Sequence, residues 1–222
     1  MSFFKVDRNQ PFKGPHQDSR NYDQGAPLSR AEAAMIMVHG RGATAQGILQ
    51  LAAEFAQPDF HYVAPQAKNN TWYPWSFLEP QAKNEPGISS GLQVLNDILE
   101  SVKDHGIPQE KIFLFGFSQG ACLASEFLAR HPQKMGGLIA LSGGLIGPSI
   151  SLEDYKGSVE GTPVFIACSD FDSHVPQNRI DETEAVFEKL KGDVNKQIYA
   201  GMGHRIIEEE IRVIRGMMAK VL

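Results

Sequence analysis

The sequence of 222 residues predicts an α/β fold in which a mostly parallel central sheet is covered by helices on both faces. Short runs that are apolar throughout alternate along the chain with longer segments whose apolar residues recur at helical spacing. Strands that are apolar at every position are typical of parallel sheets buried between two layers of helices. Because neither an internal repeat nor a linker divides the chain, we expect residues 1–222 to form one domain without a large lid.

The strands are predicted from short apolar runs that are followed by turn-forming residues. They are expected at Ala33–Val38, His61–Ala64, Ile112–Phe117, Gly137–Leu141, Pro163–Cys168 and Gln197–Ala200. Residues 1–30 are polar and irregular, with turn-forming prolines and glycines, so this segment leaves room only for a short edge strand or hairpin.

The helices are predicted where apolar residues recur every three or four positions. They are expected at Ala45–Phe55, Ile88–His105, Gln119–Arg130 and Asp181–Leu190. Gly106 and Pro108 stop the second of these helices, and Pro132 stops the third. A last amphipathic helix is predicted over residues 207–218. It carries three glutamates in its first turn, where the helix dipole favours negative charge.

The composition of the chain indicates which kinds of partner it can bind and in which cellular compartment it is found. The chain is 42% hydrophobic and 21% charged, as in ordinary globular proteins, and its net charge of −5 argues against a nucleic-acid partner. Cys122 and Cys168 form no CxxC pair, so we expect free thiols in a reducing cytoplasm. The N-terminal residues lack the continuous apolar stretch of a signal peptide, and the longest apolar runs are strand-sized. We therefore expect a cytoplasmic protein without membrane insertion, and the sequence leaves a homodimer open.

The segment Gly116-Phe117-Ser118-Gln119-Gly120 matches the nucleophile elbow G-x-S-x-G and lies between a predicted strand and a predicted helix. This turn is strained, so a side chain two residues before or after the serine would collide with neighbouring backbone. The turn exposes the serine Oγ, and the helix N-terminus behind it favours developing negative charge. The pattern predicts Ser118 as a catalytic nucleophile.

A serine nucleophile needs a base, and the base needs an acid that orients it. In α/β-hydrolases the acid and the histidine follow the serine in that order along the chain. Asp170 and Asp172 both follow the strand Pro163–Cys168, and spacing alone slightly favours Asp172. His204 follows the last predicted strand between flexible residues and is the preferred base. His174 shares a loop with the acids and is expected at the rim of the site.

The tetrahedral intermediate of acyl transfer needs hydrogen-bond donors for its oxyanion, and one donor is worth roughly 3–4 kcal/mol. One donor is the N–H of the residue after the nucleophile, here Gln119, and the other comes from the loop after an early strand. His39-Gly40-Arg41-Gly42 is that loop, which gives the Arg41 N–H as the second predicted donor. The sequence does not decide whether the Arg41 side chain faces solvent, forms an ion pair or contacts the substrate.

Four motifs together resemble the phospholipase/carboxylesterase family of α/β-hydrolases, which includes bacterial carboxylesterases and acyl-protein thioesterases and is related to dienelactone hydrolase. They are His39-Gly40-Arg41-Gly42, the elbow Gly116–Gly120, Asp172-Ser173-His174-Val175-Pro176 and Gly203-His204. The resemblance covers the chain from Ala33 to the C-terminus and implies a three-layer α/β-hydrolase fold. It also implies a triad of Ser118, Asp172 and His204, with Arg41 and Gln119 as oxyanion donors. Because residue 41 is usually apolar in the thioesterases, the arginine argues against carrying over their long-acyl preference.

Two loops at the same end of the sheet are candidates for the walls of a substrate pocket. The densest aromatic cluster of the chain, residues 69–77, follows an early strand and supplies Trp72 and Tyr73. Aromatic walls suit the acyl or alcohol part of an ester, although these rings could instead pack the loop onto the domain. Leu145 and Ile146, which follow the strand Gly137–Leu141, are the candidates for a second wall.

The sequence therefore predicts a serine carboxylesterase that hydrolyses small-molecule esters of small to medium acyl groups through an acyl-enzyme intermediate. A lysophospholipase and an acyl-thioesterase are alternatives within the same chemistry. A non-catalytic ligand-binding protein with a hydrolase fold is the alternative from another class. Because no set of histidines, cysteines and carboxylates has metal-ligand spacing, we expect neither a metal nor another cofactor.

Overall fold

A computed structural model describes residues 12–222, so the first part of the irregular segment expected over residues 1–30 lies outside the described residues. In the described part of the chain, seven strands form one sheet. They are β1 (Asn21–Gly25), β2 (Ala33–Val38), β3 (Phe60–Pro65), β4 (Ile112–Phe117), β5 (Gly137–Leu141), β6 (Pro163–Ser169) and β7 (Asp193–Tyr199). Their order across the sheet is β1-β3-β2-β4-β5-β6-β7. β1 pairs antiparallel with β3 at one edge, and every other pair is parallel.

Helices cover both faces of this sheet, which confirms the predicted three-layer α/β architecture. They are α1 (Ala45–Leu49), α2 (Leu51–Phe55), α3 (Gly87–Asp104), α4 (Gln119–Arg130), α5 (Gln177–Lys189) and α6 (Glu208–Met218). Alternate residues of β2 point into opposite core layers, as the pleat of a strand requires. Ile36 packs in the layer of α3, α4 and α5, whereas Met35 packs in the layer of α1, α2 and α6.

Three predicted elements differ from the structure by more than a one-residue shift at an end. The helix expected over Ala45–Phe55 is divided at Gln50, whose N–H donates to Gly47 O and tightens the turn. α5 begins at Gln177, four residues before the predicted start, because its first three residues are polar and the sequence offers no apolar spacing before Ile180. β7 begins at Asp193 rather than at Gln197, since this edge strand is only half-buried and its first half alternates with polar residues.

The parallel strands direct their carboxyl ends to the same edge of the sheet, and ligands in open α/β sheets bind there. The loops that follow β2, β4, β6 and β7 carry the four motifs found in the sequence. Across residues 12–222, the helices all fall short of the length and apolar character that a bilayer span requires.

Candidate active site

Ser118 lies between the end of β4 and the start of α4, with φ of 56° and ψ of −121°. A non-glycine residue rarely adopts this conformation, and such strain is concentrated at functional sites. A Cβ on Gly116 would collide with the carbonyl of Gly120, and a Cβ on Gly120 would collide with the carbonyl of Val38. The steric reason predicted for the two glycines of the elbow is therefore confirmed.

A continuous hydrogen-bonded chain joins Ser118, His204 and Asp172. The distance from His204 Nε2 to Ser118 Oγ is 2.9 Å, and the distance from His204 Nδ1 to Asp172 Oδ2 is 2.7 Å. The carboxylate needs a donor at Nδ1, so Nε2 is the nitrogen that can accept the serine proton. The three residues come from loops after β4, β6 and β7, and the structure brings them together as the sequence predicted.

The Asp172 carboxylate is enclosed by protein and has no exposed side-chain surface. Burial alone would raise the pKa of Asp172, but the hydrogen bond from His204 and those from the N–H groups of His174 and Val175 lower it below its usual value. These two N–H groups donate to Asp172 Oδ1 over 2.8 Å and 3.2 Å. Asp172 is consequently an anion at neutral pH, held in one orientation by backbone donors.

The competing carboxylate has a different position. Asp170 is exposed, and its Oδ1 accepts a 2.8 Å hydrogen bond from the N–H of Gly201. This bond connects the loop after β6 with the loop after β7. Asp170 thus fastens the two loops, and Asp172 is the carboxylate bonded to His204.

His174 lies at the rim, as expected, with 67% of its side chain exposed. Its ring lies over that of His204, with the centroids 4.7 Å apart. Asp172, His174 and His204 offer ligand atoms within 4.8 Å of one another, the kind of grouping that can hold a metal ion. Both nitrogens of His204 and both oxygens of Asp172 are already engaged in the hydrogen bonds described above, so a metal here would have to break them. The absence of a metal requirement stays a prediction.

The two predicted oxyanion donors are the N–H groups of Arg41 and Gln119. Within the described residues, neither N–H donates to another protein atom. His39 shapes the loop that carries Arg41, a role that sequence reasoning missed. Its Nδ1 donates to Gly40 O over 2.8 Å, and its Nε2 accepts from the N–H of Ala67 over 3.1 Å. Burial lowers the pKa of His39, which fits this neutral tautomer.

A cavity of about 450 Å³ opens beside Ser118 and His204. Its other lining residues are Arg41, Tyr73, Pro74, Trp75, Ser76, Phe77, Gln119, Cys122, Ser142, His174 and Val175. Tyr73 lines the cavity as predicted. Trp75, Phe77 and Val175 were missed, although the aromatic cluster in the sequence already contained the first two.

The prediction that Trp72, Leu145 and Ile146 form pocket walls is wrong, because all three are buried behind the cavity. The Trp72 indole N–H donates to His39 O over 2.9 Å, so this ring supports the oxyanion loop from beneath. The N–H of Ile146 donates to the buried Glu126 carboxylate, which fixes the backbone of the second loop. For Trp72 the alternative, that the ring packs the loop onto the domain, is the one observed.

The polar contacts, the sheet order and the strained serine after the central strand define the class: the chain is a serine-type α/β-hydrolase. Residues 25–222 match the sequence profile described as phospholipase/carboxylesterase, and the chain belongs to that family. The non-catalytic alternative is therefore wrong.

Individual relatives agree with this family. Acyl-protein thioesterase 1 of Kluyveromyces lactis is 31% identical over 217 residues, which cover 86% of this chain and 93% of the relative. Acyl-protein thioesterase 1 of Saccharomyces cerevisiae is 29% identical over 220 residues, covering 89% and 96% of the two chains. The crystal structure of a phospholipase/carboxylesterase from Dyadobacter fermentans has a TM-score of 0.88 and 38% identity, and covers 91% of this chain and 97% of its own.

Proposed function

We propose that the protein is a carboxylesterase for esters of small to medium acyl groups, with Ser118 as nucleophile, His204 as general base and Asp172 as the acid that orients the base. The observation that carries the proposal is the hydrogen-bonded chain from Ser118 through His204 to the buried Asp172 carboxylate. These three side chains lie beside two N–H groups that have no protein acceptor within residues 12–222, and beside a cavity large enough for a small ester.

The reaction follows from these positions. Ser118 Oγ attacks the ester carbonyl carbon while its proton passes to His204 Nε2, and the carbonyl oxygen becomes an oxyanion bound by the N–H groups of Arg41 and Gln119. The intermediate collapses as His204 returns the proton to the leaving alcohol, which leaves the acyl group on Ser118. A water molecule, deprotonated by His204, then attacks the acyl carbon, and His204 returns the proton to Ser118 Oγ as the acyl–serine bond breaks and the carboxylic acid leaves.

The volume of the cavity supports the proposal that the acyl group is small to medium in size. Its volume of about 450 Å³ lies in the lower part of the range of roughly 300–1,000 Å³ found for small-molecule sites. Phe77 and Val175 give it apolar walls, and Trp75, with 60% of its surface exposed, stands at its mouth. Such walls favour short apolar chains over a fully extended fatty acyl group.

Hydrolysis of acyl thioesters is the second candidate, because the fungal relatives are named acyl-protein thioesterases. The same residues would perform it, with a thiol as the leaving group in place of an alcohol. Oxygen esters and thioesters with the same acyl group distinguish the two. A higher kcat/KM for butyryl oxygen esters supports the esterase, and a higher value for matched butyryl thioesters supports the thioesterase.

The first test is the variant Ser118→Ala. We expect it to fold like the wild type and to lose about 10⁶-fold in kcat on p-nitrophenyl butyrate, the magnitude seen when a serine nucleophile is removed from another hydrolase. Wild-type activity should be unchanged after dialysis against EDTA. Wild-type turnover by a pure Ser118→Ala sample would refute the mechanism, and activity lost in EDTA and restored by zinc would refute the metal-free reaction.

The two tryptophans offer a matched test of the pocket, because Trp75 lines the cavity and Trp72 lies beneath it. We expect Trp75→Ala to lower kcat/KM about three- to tenfold more for hexanoyl than for acetyl esters, since a longer chain loses apolar contact area. Trp72→Ala should instead cost about 3–5 kcal/mol of stability, as large-to-small changes in cores do. A p-nitrophenyl ester series and urea unfolding measure the two effects. Equal loss on all esters in Trp75→Ala would remove it from the acyl site.

A further inference from the structure

The cavity beside Ser118 has an unbalanced charge. Among the described residues that line it, Arg41 carries the permanent charge, and none is acidic. The nearby Asp172 carboxylate does not line the cavity: its side chain is fully enclosed and accepts hydrogen bonds from His204 and from backbone, so a ligand there contacts Arg41 and not this anion. The protein as a whole has a net charge of −5, so a cationic cavity is a local feature rather than a consequence of composition.

The Arg41 guanidinium is also fixed in place. Nη1 donates to Thr71 Oγ1 over 3.2 Å and to Pro74 O over 2.8 Å, and Nη2 donates to Trp75 O over 2.6 Å. The group lies over the Tyr73 ring, 5.9 Å from its centroid. All these partners are neutral, and within residues 12–222 no carboxylate forms an ion pair with Arg41. Its charge is therefore oriented but not compensated.

The Arg41 guanidinium has N–H donors left for a ligand. A guanidinium has five N–H donors, of which the three contacts above use three. The remaining donors, on Nε and Nη2, have no protein acceptor among the described residues. A planar cation with two free donors matches a carboxylate, which can accept both bonds at once.

We propose that Arg41 is a specificity-determining residue, and that the preferred substrates are esters that carry a carboxylate in addition to the bond that is cleaved. The inference rests on the proposed esterase function and names its substrate class. The Arg41 N–H binds the oxyanion while the Arg41 side chain binds the substrate carboxylate, so one residue positions both ends of the reacting molecule. The favourable interaction of an oriented, partly exposed ion pair corresponds to a preference of about fivefold to twentyfold in kcat/KM.

Arg41 could instead act only as a clamp that holds the aromatic loop against the oxyanion loop. A clamp lowers activity on neutral and anionic esters by the same factor when it is removed. A charge contact lowers activity on anionic esters alone. The ratio of the two activities therefore separates the alternatives, whatever happens to the absolute rates.

Two matched substrate pairs test the proposal. The first compares the p-nitrophenyl monoester of adipic acid with p-nitrophenyl hexanoate, which places the carboxylate at the end of the acyl group. The second compares 3-acetoxybenzoate with its methyl ester, which places the carboxylate on the leaving alcohol. We expect the wild type to prefer the anionic member of at least one pair, and the pair that responds shows which half of the substrate contacts Arg41.

Arg41→Met should abolish this preference, and Arg41→Lys, which keeps the charge but loses the clamp, should retain part of it. The wild-type preference should also fall as ionic strength rises from about 0.02 M to about 0.5 M, since the screening length shortens from roughly 20 Å to roughly 4 Å. If Arg41→Met does not fold, this salt dependence decides the matter.

Wild-type enzyme without any anionic preference, or a preference that survives in Arg41→Met, would overturn the inference. The proposed esterase function would then still stand if hexanoate hydrolysis depended on Ser118. Absence of Ser118-dependent hydrolysis of every ester would instead overturn the function itself.

Discussion

Two neighbouring segments at the catalytic end of the sheet each bury a carboxylate, but they supply it with different numbers of hydrogen-bond donors. The loop after β6 surrounds Asp172 with donors from His204 and from the N–H groups of His174 and Val175. The segment after β7 leads into α6 and buries Glu210, whose Oε2 accepts the N–H of Ile207. The other oxygen, Oε1, has no hydrogen-bond partner within the described residues.

The pKa values of the two groups follow this difference. Burial raises the pKa of both carboxyls, but the hydrogen bonds to Asp172 outweigh it and bring that pKa below its usual value. Burial raises the pKa of Glu210 to about 7, and the bond from Ile207 offsets only part of the effect. In these two carboxyls burial acts in the same direction, and the number of hydrogen bonds that oppose it accounts for the opposite directions of the two pKa shifts.

The largest effect is expected from Asp172→Asn. The backbone donors of His174 and Val175 will hold the amide oxygen, so the NH₂ group will face His204 Nδ1. Nδ1 must then accept, the proton moves to Nε2, and His204 can no longer accept the Ser118 proton. We expect kcat to fall about 10⁴-fold near pH 7, as for the equivalent change in a serine protease, while the fold is retained. Ester hydrolysis and circular dichroism measure the two.

Asp170→Asn is the matched control, two residues away in the same loop. An asparagine oxygen can still accept the N–H of Gly201, so we expect a loss of at most a few-fold. If Asp170→Asn were the inactive variant and Asp172→Asn the active one, the acid would have to be reassigned, and the two carboxylates would have exchanged the roles that their contacts indicate.

The features that sequence predicted correctly depend on interactions between near neighbours in the chain. The elbow is recognisable because Gly116 lies against the backbone of Gly120 within the same strand–turn–helix unit. The central strands are recognisable because they are apolar at every position. Spacing alone favoured Asp172 over Asp170 only slightly, because both follow β6 and the contact that separates them, with His204, is a tertiary one.

The pocket walls depend instead on which side of a loop faces inward, and local pattern does not contain that information. Trp72 and Trp75 lie three residues apart in one aromatic segment, but one is buried under the oxyanion loop and the other stands at the cavity mouth. The buried His16 contributes to this arrangement by bonding to Trp72 O over 2.8 Å. That contact comes from the N-terminal segment, to which the sequence assigned no role.

A smaller effect than that of Asp172→Asn, and the one that tests the other half of the comparison, is expected from Glu210→Gln. Below pH 4.5 Glu210 is protonated in both the folded and the unfolded chain, so it contributes no pH dependence there. Between pH 4.5 and about 7 the unfolded chain releases this proton while the folded chain retains it, so stability falls as the pH rises. Above pH 7 the penalty is complete and amounts to about 3 kcal/mol.

Glutamine keeps an oxygen for the N–H of Ile207 but cannot ionise, so this variant should lack the decline. The free energy of unfolding of Glu210→Gln relative to the wild type should therefore rise by about 3 kcal/mol between pH 4.5 and pH 8 in urea titrations. Glu209→Gln is the control: the exposed Glu209 carboxylate is the last of the causes that shift the Glu210 pKa, so this variant should retain most of the wild-type decline. Parallel pH profiles for Glu210→Gln and the wild type would mean that Glu210 ionises freely in the folded protein, and that burial with one hydrogen bond is enough to keep a carboxylate charged.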